Sequence, residues 1–173
     1  MATLQPADRV RRLRAILFDM DGTLVDSDGA VERAWRTWAA ENDSDVDALL
    51  QFAHGRPADQ TVRAVRPDLD EPGVAAAAQR QLDLQYTDLD DVVATPGALA
   101  LVAELDARGT PWAVVTSADR ELARARLAAA GLRPQHLVTV EDVERGKPDP
   151  EGYLRAARAV GVPPHECLVV EDS

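Results

Sequence analysis

Residues 16–27 read ILFDMDGTLVDS. An apolar run ends in two aspartates one residue apart, a Gly-Thr follows, and apolar residues resume. A short continuous apolar run closed by a turn signal reads as a buried strand, so a strand is expected over 14–19 with a turn at Asp21-Gly22. The long stretch after that turn decides how the strand is used. From residue 26 to residue 93 the pattern is helical with no strand signal. DGAVERAWRTWAAEN sets Val31, Trp35 and Trp38 on one stripe at i, i+4 and i+7. Pro57, Pro67 and Pro72 divide the next stretch into short helices, and a longer helix is expected through VAAAAQRQLDLQYTDLDDVV, residues 74–93.

After Pro96-Gly97 the pattern changes. Helices over 98–108, 119–130 and 150–160 alternate with apolar runs over 111–117, 136–140 and 167–172, and Gly109, Gly131 and Gly161 stop the helices. Strands alternating with helices of this length imply a parallel sheet with helices on its faces. The expected fold is α/β: a Rossmann-like core from 1–26 and 95–173, interrupted after its first strand by an all-helical insertion over 27–94.

The 173 residues suffice for one such domain with an insertion. Apolar residues make up 46% and charged residues 28%, as in soluble globular proteins. No apolar run is long enough to span a membrane, and the polar, basic start MATLQPADRVRRLR does not read as a signal peptide. The net charge of −11 argues against a nucleic-acid partner. A single cysteine, Cys167, cannot form an internal disulfide, so a reducing cytoplasm is expected, with Cys167 a small core residue. Lys147 is the only lysine among nineteen Lys and Arg. A chain that writes every other cation as Arg has a need at 147 that a guanidinium does not meet.

In a parallel sheet, ligands bind beyond the carboxyl ends of the strands. Three strands end there in functional groups: Asp19 and Asp21, Thr116-Ser117, and Glu171-Asp172. Lys147, in ERGKPDP, leaves the end of a fourth. Carboxylates gathered this closely raise one another's pKa unless a cation joins them, and a hard divalent ion such as Mg²⁺ with oxygen ligands is the simplest answer. Beside it one Asp could attack phosphorus, a second could move the proton, a hydroxyl could hold phosphoryl oxygens, and a lysine could offset charge. Gly22 suits a backbone passing close to a phosphate.

These residues resemble the haloacid dehalogenase superfamily of phosphohydrolases. DMDGT (19–23), the strand ending in Thr116, Lys147 in GKPDP, and VVEDS (169–173) match its four motifs in order, and the helical insertion is similar to the C1 cap of its subfamily IA phosphatases. The resemblance implies Asp19 as nucleophile and Mg²⁺ ligand, and Asp21 as general acid/base whose backbone carbonyl also binds the metal. It implies Thr116 as phosphate ligand, Lys147 as partner of the Asp19–phosphate group, Asp172 as a metal ligand, and Glu171 binding metal or orienting its water. Gly22, Thr23 and Ser117 would contact the phosphate, and His54, Gly55 and Arg56, in FAHGRPADQT, would form a substrate-specificity loop.

The run as a whole looks most like bacterial sugar-phosphate phosphatases acting on hexose and hexitol phosphates, so the expected partner is a small phosphate ester. Phosphosugar mutases share the motifs but carry a His where this chain has Val31, which favours release to water. The sequence stops at Ser173, where the family continues with a helix, a strand and a closing helix. The last strand and helix of the family's core are thus expected to be absent. The chain is expected to be monomeric, with the exposed sheet edge as the place where association would occur. A truncated, inactive domain acting only in binding is the alternative from another class.

Overall fold

The computed structural model describes residues 13–53 and 56–172. The strand expected at 14–19 is β1, Ala15–Phe18, and it lies inside a four-stranded parallel sheet. Its neighbours are β4, Trp112–Val115, and β6, Cys167–Val170, with β5, Leu137–Val138, beyond β4. The order is β5-β4-β1-β6. Register sets Phe18 against Val114 on one side and Val170 on the other. Every strand therefore ends at the same edge, where the polar residues begin. β1 and β4 are almost continuously buried, as their unbroken apolar runs require of strands covered on both faces. β6 lies at the edge of the sheet among the described strands, and its Leu168 and Val169 are more than 40% exposed.

Helices α5 (Ala98–Ala107), α6 (Arg120–Ala129) and α7 (Glu151–Ala159) form the crossovers. α7 packs small residues on the sheet: Ala156 and Ala157 meet Leu17, Ala113, Val115 and Val138. Gly152 brings this helix closest, since a Cβ there would stand 2.9 Å from Val115 Cγ1. Cys167 packs against this cluster as a partly buried residue. Burial, and then the neighbouring Glu166 carboxylate, pushes its thiol above the ordinary value.

The described residues divide into two compact units, one containing residues 13–26 with Val93–Asp172, the other Ser27–Val92. The second unit is built from α1 (Asp28–Glu41), α2 (Val46–Ala53), α3 (Ala58–Val65) and α4 (Glu71–Gln85). Trp35 and Trp38 of the expected stripe are buried and meet edge to face at 5.6 Å, while Val31 packs at the margin of the same cluster. Trp38 Nε1–H donates to the Ala77 carbonyl at 2.8 Å, which satisfies the one polar atom of a fully buried ring.

Three expectations need correction. The last insertion helix starts earlier and ends earlier than residues 74–93. Pro72 belongs to its first turn, where no N–H is needed, and Asp70 caps it by accepting the Gly73 N–H at 2.9 Å. It stops at Gln85, where the Thr87 hydroxyl donates to the Leu84 carbonyl at 2.9 Å and satisfies one of the carbonyls the last turn leaves open. Arg33 of α1 donates from Nε to Asp88 at 2.7 Å and from Nη1 and Nη2 to Asp91 at 2.6 Å. Second, Val25–Asp26 (β2) and Val93–Ala94 (β3), at the two ends of the stretch read as helical and not expected as strands, form an antiparallel ladder that ties together the two ends of the insertion. Third, the strand expected at 136–140 closes after Val138, and Val140–Asp142 forms a 3-10 turn capped by Thr139.

Candidate active site

β1 delivers Asp19 one residue beyond its end. The Asp19 N–H still donates to the Val170 carbonyl at 2.9 Å, so the backbone there is held by the sheet. The chain then turns sharply: the Met20 carbonyl accepts the N–H of Leu24 and of Val25, each at 2.9 Å, with Met20 fully buried. Gly22 sits in this loop at φ +76°, a conformation other residues rarely adopt. A Cβ on Gly22 would lie 2.4 Å from Asp172 Oδ2, so Asp172, reaching across from the end of β6, occupies the room the missing side chain leaves.

The Lys147 ammonium pairs with Asp19 Oδ1 and with Glu171 Oε1, the latter at 2.7 Å. It also lies 5.2 Å from the centre of the Tyr153 ring, within cation–π range. Tyr153 O–H donates to Glu171 Oε1 at 2.5 Å. Burial, then the hydrogen bond to Glu171, pushes the Tyr153 phenol far above its ordinary value, so it remains a donor. Burial pushes the Asp19 carboxyl up, and Lys147 pulls against it without fully restoring the ordinary value. Asp19, Glu171 and Asp172 each offer an oxygen within 4.8 Å of the others. One ammonium among three carboxylates leaves a local excess of negative charge, and an all-oxygen donor set of this kind fits a hard divalent cation.

Asp21 takes a different direction. Its Oδ1 accepts from Arg126 Nη1 at 2.8 Å, and its carboxylate is not part of the three-oxygen cluster. Thr116, beyond β4, is buried, and its Oγ1 accepts the Ala118 N–H at 3.0 Å. That bond orients the hydroxyl and leaves its proton to donate outward. Thr116 and Ser117 line one pocket with Lys147 and Tyr153. Thr23 lies in the Asp21–Val25 loop, and its carbonyl accepts the Thr95 hydroxyl at 2.7 Å. Arg56 lies in the helical unit, its guanidinium 5.6 Å over the Phe52 ring. His54 and Gly55 lie outside the described residues.

Two polar residues of this region went unread in the sequence. Tyr153 falls inside the helix expected over 150–160, and its partner stands 18 residues away. Arg126 had a faint signal, since it falls on the same face of α6 as the buried Leu122, Ala123 and Leu127.

Among the described residues, no helix is long and apolar enough to cross a membrane. Residues 13–173 match the family model of haloacid dehalogenase-like hydrolases. The chain is 44% identical over 163 residues to Hexitol phosphatase A of Escherichia coli, an alignment covering 94% of this chain and 76% of the relative. It is 34% identical over 168 residues to Validoxylamine A 7'-phosphate phosphatase of Streptomyces hygroscopicus, covering 92% of this chain and 77% of that one. A crystal structure of a hydrolase from Pseudomonas syringae superposes with a TM-score of 0.79 at 27% identity, covering 93% of this chain and 76% of the other. The acid-ended strands, the lysine between them and this match over nearly the whole chain agree: the protein belongs to the haloacid dehalogenase-like hydrolase family.

Proposed function

We propose that the chain is a Mg²⁺-dependent phosphatase of small phosphorylated metabolites, sugar or hexitol phosphates by likeness to its relatives. The observation that carries this reading is the Lys147 ammonium bridging Asp19 and Glu171, with Asp172 seated against Gly22 beside them. An Asp19 oxygen attacks phosphorus and forms an acyl phosphate as the ester P–O bond breaks. Asp21 gives its proton to the leaving alkoxide, then takes one from the water that attacks the acyl phosphate, which frees Asp19 and phosphate. Thr116 and Ser117, with the backbone around Gly22 and Thr23, hold the phosphoryl oxygens, and Lys147 offsets their charge. Asp19, Asp172, the Asp21 carbonyl and Glu171, directly or through water, would hold Mg²⁺, which when bound supplies charge stabilisation to the phosphoryl group. His54, Gly55 and Arg56 are assigned to substrate contact, and a monomer in a reducing cytoplasm is the expected setting.

The test is phosphate release from a panel of hexose, hexitol and glycerol phosphates, with and without EDTA, against Asp19→Asn. Turnover that needs Mg²⁺ and Asp19 is expected. Activity surviving either removal would sink the mechanism, and conversion of a hexose 1-phosphate to its 6-phosphate without release would replace it with a mutase.

A further inference from the structure

α6 buries Leu122, Ala123 and Leu127 on one face, and an arginine stands in that same row. Arg126 is only 3% exposed, whereas a guanidinium two residues earlier, at 124, is spared that burial. Taking a guanidinium out of water costs several kcal/mol unless it is well paired. Arg126 donates to Asp21, 105 residues away, at 2.8 Å through Nη1. A helix needing only an apolar contact at this place would be served by Leu or Met. Resting on the phosphatase reading above, we infer that Arg126 is a positioning residue for proton transfer. It fixes one oxygen of the Asp21 carboxylate, so that the other is the one aimed at the ester oxygen of the substrate.

The physical consequence is selective. Breaking the P–O bond of an alkyl phosphate leaves a strongly basic alkoxide that needs a proton in the transition state, whereas p-nitrophenolate leaves without one. A displaced Asp21 therefore slows alkyl phosphates and spares aryl phosphates. Because kcat/KM reports the steps up to loss of the leaving group, it isolates this effect from later hydrolysis of the acyl phosphate.

The experiment compares kcat/KM for glycerol 1-phosphate, a hexitol phosphate and p-nitrophenyl phosphate in wild type, Asp21→Asn, Arg126→Met and Arg126→Lys at saturating Mg²⁺. Arg126→Met is expected to lose about 10²-fold on the alkyl esters and under threefold on the aryl ester. Arg126→Lys, which keeps the charge and the buried stem but not the planar end, is expected to lose about tenfold on alkyl esters only. It decides the matter if Arg126→Met fails to fold. Equal losses on both ester types, or none, in whichever variant keeps the wild-type circular dichroism would overturn the inference. Asp21→Asn separates the two levels of argument. If it too lacks the alkyl-selective loss, the acid/base reading of Asp21 falls; if it shows the loss and the Arg126 variants do not, only the role of Arg126 falls.

Discussion

Gly22 and Asp172 are 150 positions apart in the chain, yet a Cβ on the first would lie 2.4 Å from Oδ2 of the second. The contact exists because β1 and β6 are direct neighbours in parallel register, so the loop after one strand meets the end of the other. It links the first acidic pair of the chain with the last, and Lys147 spans the same gap from Asp19 to Glu171.

Gly22→Ala should therefore damage the site twice. The φ of +76° is strained for alanine by about 1–2 kcal/mol, and the new methyl must displace Asp172. The expected outcome is at least a tenfold rise in the Mg²⁺ concentration needed for half-maximal activity, with a modest fall in melting temperature. A magnesium titration of activity reads this directly, and an unchanged midpoint would mean that Asp172 does not hold the metal.

Lys147→Arg tests why the chain contains one lysine. The ammonium is a compact donor reaching two carboxylates beneath the Tyr153 ring, and a planar, wider guanidinium does not fit that geometry. A fall in kcat of tenfold or more is expected although the charge is kept. Steady-state kinetics at parity with wild type would refute the need for a point cation.

Trp38→Ala should destabilise the helical unit by about 3–5 kcal/mol, because the ring is fully buried in its main cluster. Trp38→Phe should cost less, chiefly through the lost bond to the Ala77 carbonyl. Urea unfolding followed by circular dichroism gives both values. A Trp38→Ala loss under 1 kcal/mol would contradict the packing described.

Glu151 provides a pH prediction. Its carboxylate accepts the backbone N–H groups of Glu144 and Arg145 and pairs with Arg155, and these hold it below the ordinary glutamate value of 4.5. A carboxyl depressed in the folded state contributes stability above its unfolded pKa and loses it as pH falls through the folded one. Glu151→Gln should thus be less stable than wild type at pH 7, and the gap should narrow below pH 4.5. Urea midpoints measured from pH 3 to pH 7 would show the two curves converging; parallel curves would rule the linkage out.

The parts of this molecule that could be read in advance share a cause. β1 and β4 are continuous apolar runs, and α1 carries its tryptophans at helical spacing, so the signal lies in neighbouring residues. β2 and β3 were missed because two residues are too few to show a period, and each is a strand only by virtue of the other. The early end of α4 was missed because the apolar pattern runs past Gln85 without a Gly or Pro, while the Thr87 hydroxyl closes the last turn on the Leu84 carbonyl.

The same division runs through the site. By itself the sequence determined that acids, a hydroxyl and a lone lysine would gather at the carboxyl edge of a parallel sheet, since strand direction and crossover handedness leave them nowhere else. The family resemblance already set Lys147 beside Asp19; only the tertiary structure decided the partner of Asp21. Asp19 is joined to Lys147 across 128 positions and Asp21 to Arg126 across 105. Two carboxylates one residue apart thus stand in different electrostatic surroundings, because strand order, which no local pattern encodes, sets which cation each can reach.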